Sequence, residues 1–236
     1  MSQTPTNQTP ASQTPTSQTL SEQLEEYRAG WMQRVPAERR AMMERHIAHL
    51  AETGFGKRGK QVGDRAPAIV LPDAHGKSFD VTSLLAKGPV VVTFYRGGWC
   101  PYCNLELKAY QSLLPRFAAA GASLVAISPE KPDDTVSTAE KNALTFPVLS
   151  DVGQSVGKAF GIVYAFTDEL RAVYDGFKLD IPGKNGAPDD WSLPLSATYV
   201  IGHDGVILFA DTSVDYRHRT DPLDVLDVLE RRVAAE

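Results

Sequence analysis

Cys100 and Cys103 are the only two cysteines in this 236-residue chain, and they stand three positions apart in VVVTFYRGGWCPYCNLELKAY, residues 90–110. A bridge between residues this close closes too short a loop to stabilise a fold much. In a reducing compartment such a pair points to redox or metal chemistry. The apolar run before it predicts a strand ending near Tyr95, Gly97 and Gly98 permit a sharp turn, and Pro101 suits the first position of a helix, where the missing N–H has no partner to lose. Cys100 then falls at the N-cap. Free backbone N–H groups and the positive end of the helix dipole favour thiolate over thiol there. Cys103 lies on the same helical face, within reach of oxidised sulfur on Cys100, so a Cys100–Cys103 redox disulfide is expected. Arg96 can add positive charge beside the thiolate, and Trp99 can shield it from water. A tetrahedral zinc site would need two more ligands. With no second Cys-x-x-C, and only the scattered His75, His203 and His218 on offer, no metal or other cofactor is expected.

These residues need a sheet and helices to position them. Apolar runs at 68–71, 89–95, 123–128 and 197–201 alternate with helical stretches after Cys100, Asp134 and Asp151, which predicts an α/β fold with helices on both faces of a sheet. Asp204-Gly205 between two apolar runs predicts a hairpin, so the sheet is mixed. A last helix is expected over 223–233. The Gly-, Pro- and Asn-rich segment 180–194 reads as a loop with a wall or lid role, and the stretch 167–194 shapes the entrance to the site. Ahead of this domain, Thr19 and Glu22 form a capping box before Leu20, Leu24, Tyr27 and Trp31 at helical spacing. Pro36 ends that helix. A second carries Met43, Ile47 and Leu50 on one face and stops near Gly54, while His46 and His49 read as surface or packing residues. The repeat SQTPT-NQTPA-SQTPT cannot bury a core. Three segments follow: a disordered tail (1–19), a helical extension (20–55) and an α/β domain (62–236).

A net charge of −5 with a pI near 5.6 argues against a nucleic-acid partner. No apolar stretch approaches the ~20 residues that span a bilayer, and no signal peptide is evident, so the chain reads as cytoplasmic with no membrane partner. The apolar faces of the N-terminal helices suit either packing on the domain or a homodimer.

FYRGGWCPYCNLEL, preceded by VGDRAPAIVLPDAHGKSFDVTSLL and followed by LVAISPE, STAEKNALTFPVLSD and ATYVIGHDG, resembles the peroxiredoxin-like branch of the alkyl hydroperoxide reductase and thiol-specific antioxidant (AhpC/TSA) superfamily over residues 62–233. The resemblance implies a thioredoxin-like fold. It implies that Cys100 attacks a peroxide and becomes a sulfenic acid, that Cys103 resolves it as a disulfide, and that thioredoxin or glutathione restores the dithiol. Two positions depart from the family pattern: Gly97 stands where a threonine orients the peroxide, and Ser196 where an arginine stabilises the thiolate. Arg96, Arg217 or Arg219 could compensate. Pro194 lies two residues before the point at which thioredoxins carry a proline. Cys-Pro-Tyr-Cys also resembles the dithiol glutaredoxin motif, so the pair suits a disulfide substrate as well as a peroxide. A redox-dependent binding module is a third reading.

Overall fold

The computed structural model describes residues 18–233, so the repeat-rich tail expected at 1–19 lies outside the described residues as far as position 17. Helix α1 (Leu20–Arg34) starts at the expected capping box: the Thr19 hydroxyl accepts from the Glu22 N–H, and the Glu22 carboxylate accepts from the Thr19 N–H at 2.7 Å. Pro36 then caps α2 (Ala37–Glu52), which buries Met43 and Leu50.

A short hairpin of β1 (Val70–Pro72) and β2 (Ser78–Asp80) and the single turn α3 (Thr82–Leu85) lead into the main sheet. Strand β3 (Val90–Phe94), helix α4 (Pro101–Ala119), strand β4 (Ser123–Ser128), helix α5 (Pro132–Lys141) and strand β5 (Val148–Ser150) build its parallel half. Strands β8 (Ser196–Ile201) and β9 (Ile207–Ser213) add the antiparallel half, giving the order β5-β4-β3-β8-β9. The Asp204-Gly205 turn forms as expected, with Gly205 at φ +80° and Asp204 Oδ1 accepting from the Val206 N–H at 3.0 Å. Helix α9 (Pro222–Val233) closes the described chain.

Alternation along β3 explains the layers. Val90, Val92 and Phe94 face one core with Met43 and Leu50 of α2. Val91 and Tyr95 face another with Leu107 and Tyr110 of α4 and Leu226 of α9. A mixed sheet covered on both faces in this strand order is a thioredoxin-like fold.

The segment 180–194 is more regular than its composition suggests. After α6 (Ser155–Ala159), strand β6 (Val163–Ala165) and α7 (Asp168–Gly176), it contains α8 (Ile181–Asn185) and β7 (Ser192–Pro194), the latter paired antiparallel with β6. Asp180 starts α8 by accepting from the Gly183 N–H, and Gly186 ends it in the left-handed conformation at φ +62°. Thr167 likewise caps α7 by accepting from the Leu170 N–H. Among the described residues no helix is long and apolar enough to cross a membrane.

The extension packs on the domain: α1 lies on α4, with Tyr27 edge-on to Tyr102, and α2 lies on α7. Glu44 of α2 is ion-paired with Arg217 in the loop between β9 and α9.

Candidate active site

The turn between β3 and α4 depends on both glycines. Gly97 sits at φ +148°, and a Cβ there would lie 2.3 Å from the Trp99 Nε1. A Cβ on Gly98 would lie 2.0 Å from the Thr138 hydroxyl. The threonine of the family pattern therefore has no room at position 97. Three hydrogen bonds hold the corner: Gly98 N–H to Glu130 Oε2 at 2.7 Å, Cys100 N–H to the Gly97 carbonyl at 3.0 Å, and Asn104 Nδ2 to the Gly98 carbonyl at 2.9 Å. Cys100 is the N-cap of α4 and Pro101 its first residue, as expected.

Both thiols are free, and both are buried, Cys100 at 1% exposure. Arg96 Nη1 lies 3.9 Å from Cys100 Sγ. Arg219 Nη2 lies 3.9 Å from the same sulfur and 3.3 Å from Cys103 Sγ. Burial alone would raise the Cys100 thiol. The Cys103 S–H, the charges of Arg96 and Arg219 and the Cys103 N–H outweigh it and bring Cys100 down to about 5. Burial, the hydrogen bond it donates and the neighbouring thiolate push Cys103 well above the usual thiol range. The pair is thus a thiolate beside a thiol.

The two arginines are held differently. Arg96 is buried, donates to the Tyr174 hydroxyl, and packs against the rings of Trp99, Tyr174 and Tyr216 at 5.1, 5.8 and 4.6 Å. Arg219 donates to the carbonyls of Tyr216 and His218 and pairs with the buried Glu106, Nε to Oε2 at 2.9 Å. Burial raises the Glu106 carboxyl to about 8, against the opposing charge of Arg219. Arg217, by contrast, is spent on Asp215 and Glu44. Ser196, the first residue of β8, is buried with its hydroxyl unbonded, and it does not line the cavity described next. His218 contacts Asp211 at the surface. His46 stacks at a tilt on Tyr164, and burial lowers it to about 4.

An apolar cavity of about 150 Å³ opens onto Cys100. Trp99 and Pro101 wall it from the motif, Tyr174 and Phe177 from α7 and the residue after it, and Tyr27, Trp31 and Met43 from the extension. Trp99 and, from the 167–194 stretch, Tyr174, Phe177 and Leu179 line the cavity, whereas no residue of 180–194, the segment expected as a wall or lid, is among the lining. Sequence reading did not foresee Glu106, Tyr174 or Tyr216, because their partners are distant in the chain and no local spacing announces them.

A sequence model described as the AhpC/TSA family matches residues 62–210, more than half of the chain. Peroxiredoxin Bcp of Escherichia coli (strain K12) is 31% identical over 129 residues, 52% of this chain and 81% of that protein. The thiol-disulfide oxidoreductase ResA of Bacillus anthracis is 31% identical over 107 residues, 45% of this chain and 61% of that protein. The crystal structure of peroxidoxin BcpB from Mycobacterium tuberculosis superposes with a TM-score of 0.57 at 25% identity, covering 72% of this chain and 97% of the other. The chain spans 62% of the length of the curated relatives that it matches at 36% identity. Fold, motif and sequence match agree: the chain belongs to the AhpC/TSA family.

Proposed function

We propose that the protein is a thiol-dependent peroxidase in which Cys100 is the nucleophile and Cys103 the resolving thiol. The observation that carries this reading is a single one: a buried sulfur held as thiolate beside two guanidinium groups, at the floor of an apolar cavity. The Cys100 thiolate attacks the outer oxygen of R–O–O–H. An S–O bond forms and the O–O bond breaks, leaving Cys100 as a sulfenic acid; the departing alkoxide takes a proton and leaves as alcohol or water. Arg96 and Arg219 face the charge as it moves from sulfur to oxygen. Cys103 sulfur then attacks Cys100 sulfur, the S–O bond breaks, and hydroxide leaves with the thiol proton as water. Thioredoxin or glutathione, each oxidised in turn, returns the disulfide to the dithiol. In this reading residues 62–236 form the redox domain, residues 20–55 an extension to it, and the reducing cytoplasm is the setting that keeps the pair supplied with electrons.

The test is stopped-flow oxidation of the fully reduced protein by hydrogen peroxide, followed by tryptophan fluorescence, with Cys100→Ser as control. A rate orders of magnitude above that of free cysteine at the same pH, absent in the control, is expected. A rate like that of free cysteine would move the function to disulfide exchange. The likeness to ResA favours that second reading, which the same experiment separates by faster reaction with a protein disulfide than with peroxide.

A further inference from the structure

The family match begins at residue 62, yet Tyr27, Trp31 and Met43 of the extension wall the cavity above Cys100. We propose that α1 and α2 are a substrate-selecting part of the active site: with Tyr174 and Phe177 they form an apolar subsite for a compact carbon group, aryl or branched alkyl, carried by an organic hydroperoxide. The inference rests on the peroxidase reading and names the substrate class for it.

Three observations carry the choice of ligand. Apart from Cys100, the lining is aromatic rings with Pro101, Leu179 and the Met43 thioether, and Arg96 is the one charged side chain among them. That places the only strong donor beside Cys100, where the peroxide oxygens must sit, and leaves apolar surface for everything else in the molecule. A hydrogen peroxide molecule would gain nothing from such walls and would lose hydration. The volume, about 150 Å³, is that at which an apolar cavity takes up benzene, so a phenyl or tert-butyl group fits within it. Finally, the walls brace one another. Trp99 meets Tyr174 edge to face at 5.8 Å, Tyr27 meets Tyr102 at 5.1 Å, and α2 is anchored to α7 by the Arg45–Glu169 ion pair. A preformed pocket discriminates by shape rather than by closing on whatever enters.

The experiment uses the reduced full-length chain and compares kcat/KM for cumene hydroperoxide with that for hydrogen peroxide, in the wild type and in Trp31→Ala. The expected ratio favours cumene hydroperoxide by at least about tenfold, and the variant brings it down by about tenfold, since one missing contact in an apolar pocket is worth that much. Taking the ratio cancels any general loss of activity in the variant. A ratio near one in the wild type, or a ratio that Trp31→Ala leaves unchanged, would overturn the proposal. A second readout needs no turnover: 2-phenyl-2-propanol, the alcohol product, should bind the reduced protein and quench its tryptophan fluorescence, while glycerol should not. Slow reaction with both peroxides would instead sink the peroxidase reading. Alcohol binding then decides the subsite alone, and its absence overturns it.

Discussion

The two sides of the cysteine pair are built from opposite materials. Cys100 faces an apolar cavity whose one cation, Arg96, is held by a phenol and three ring faces. Cys103 faces the interior, where Arg219 lies between the two sulfurs and the Glu106 carboxyl, which burial raises to about 8. Each sulfur has its own state before any substrate arrives: the Cys103 S–H, Arg96 and Arg219 hold Cys100 as thiolate, while burial and that thiolate keep the proton on Cys103.

The sharpest way to break this division of labour is to remove each sulfur in turn. Cys100→Ser should abolish peroxide reduction, a loss of at least about a thousandfold. Cys103→Ser should keep the first oxidation but stop thioredoxin-coupled turnover, with a sulfenic acid trapped by dimedone and seen as a mass adduct on residue 100. Equal losses in both steps for both variants would dissolve the distinction.

Next in size is Arg219→Met, which leaves the Glu106 carboxyl buried without its cation. Above pH 8, where the Glu106 carboxyl is ionised, breaking this buried pair from one side should cost about 3–5 kcal/mol, and Glu106→Gln added to it should recover part of that loss in urea unfolding. Arg96→Met leaves no buried carboxylate behind and should cost less stability. Similar losses from the two variants would mean that the two cations are not held differently.

The charge state of Cys100 gives a pH test. Iodoacetamide labelling of Cys100 should titrate near pH 5. Arg96→Met should move the midpoint upward by about one unit or more, because a nearby cation favours the charged form. Stability follows with a fixed sign. The unfolded thiol keeps its proton up to the ordinary thiol range, while the folded one loses it near 5. Measured against Cys100→Ser, the reduced protein should therefore gain stability as pH rises through that window and lose the gain as pH falls through 5. A difference flat with pH would refute the thiolate.

The smallest effect is expected at the corner that both sides share. Gly97→Thr, which installs the family residue, should destabilise by about 1–3 kcal/mol in thermal unfolding, since position 97 is left-handed and its Cβ would strike Trp99. A stable variant with faster peroxide reduction would show that the corner can accept the family geometry after all.

What could be read in the sequence followed chain-local physics. Cys100 at the N-cap came from two glycines, a cysteine and a proline in four fixed offsets, and the hairpin came from Asp204-Gly205. Thr19 with Glu22 gave the start of α1 to the residue. The rest depended on long-range meetings. Arg96 and Arg219 are 123 positions apart, and nothing in either neighbourhood says that both reach one sulfur while Arg217 turns to Asp215. Glu106 looked like an ordinary helical glutamate one turn past Cys103. Only its burial against Arg219 sets it apart. In 180–194 the Gly and Pro content hid a helix, because the signals that make one there, an aspartate cap and a glycine stop, bracket only five residues.

One side of the cavity wall comes from a stretch of chain that precedes the thiol domain, while the electrostatics of the sulfurs come from within it. Heredity can therefore act on the two separately. On the proposed reading, exchanging aromatics along α1 would retune which peroxide the cavity accepts without touching how the sulfurs ionise. Glu44, tied to Arg217 two residues before Arg219, and Met43, which accepts from the hydroxyl of Tyr216 at 3.8 Å, give the two inheritances a common stitch.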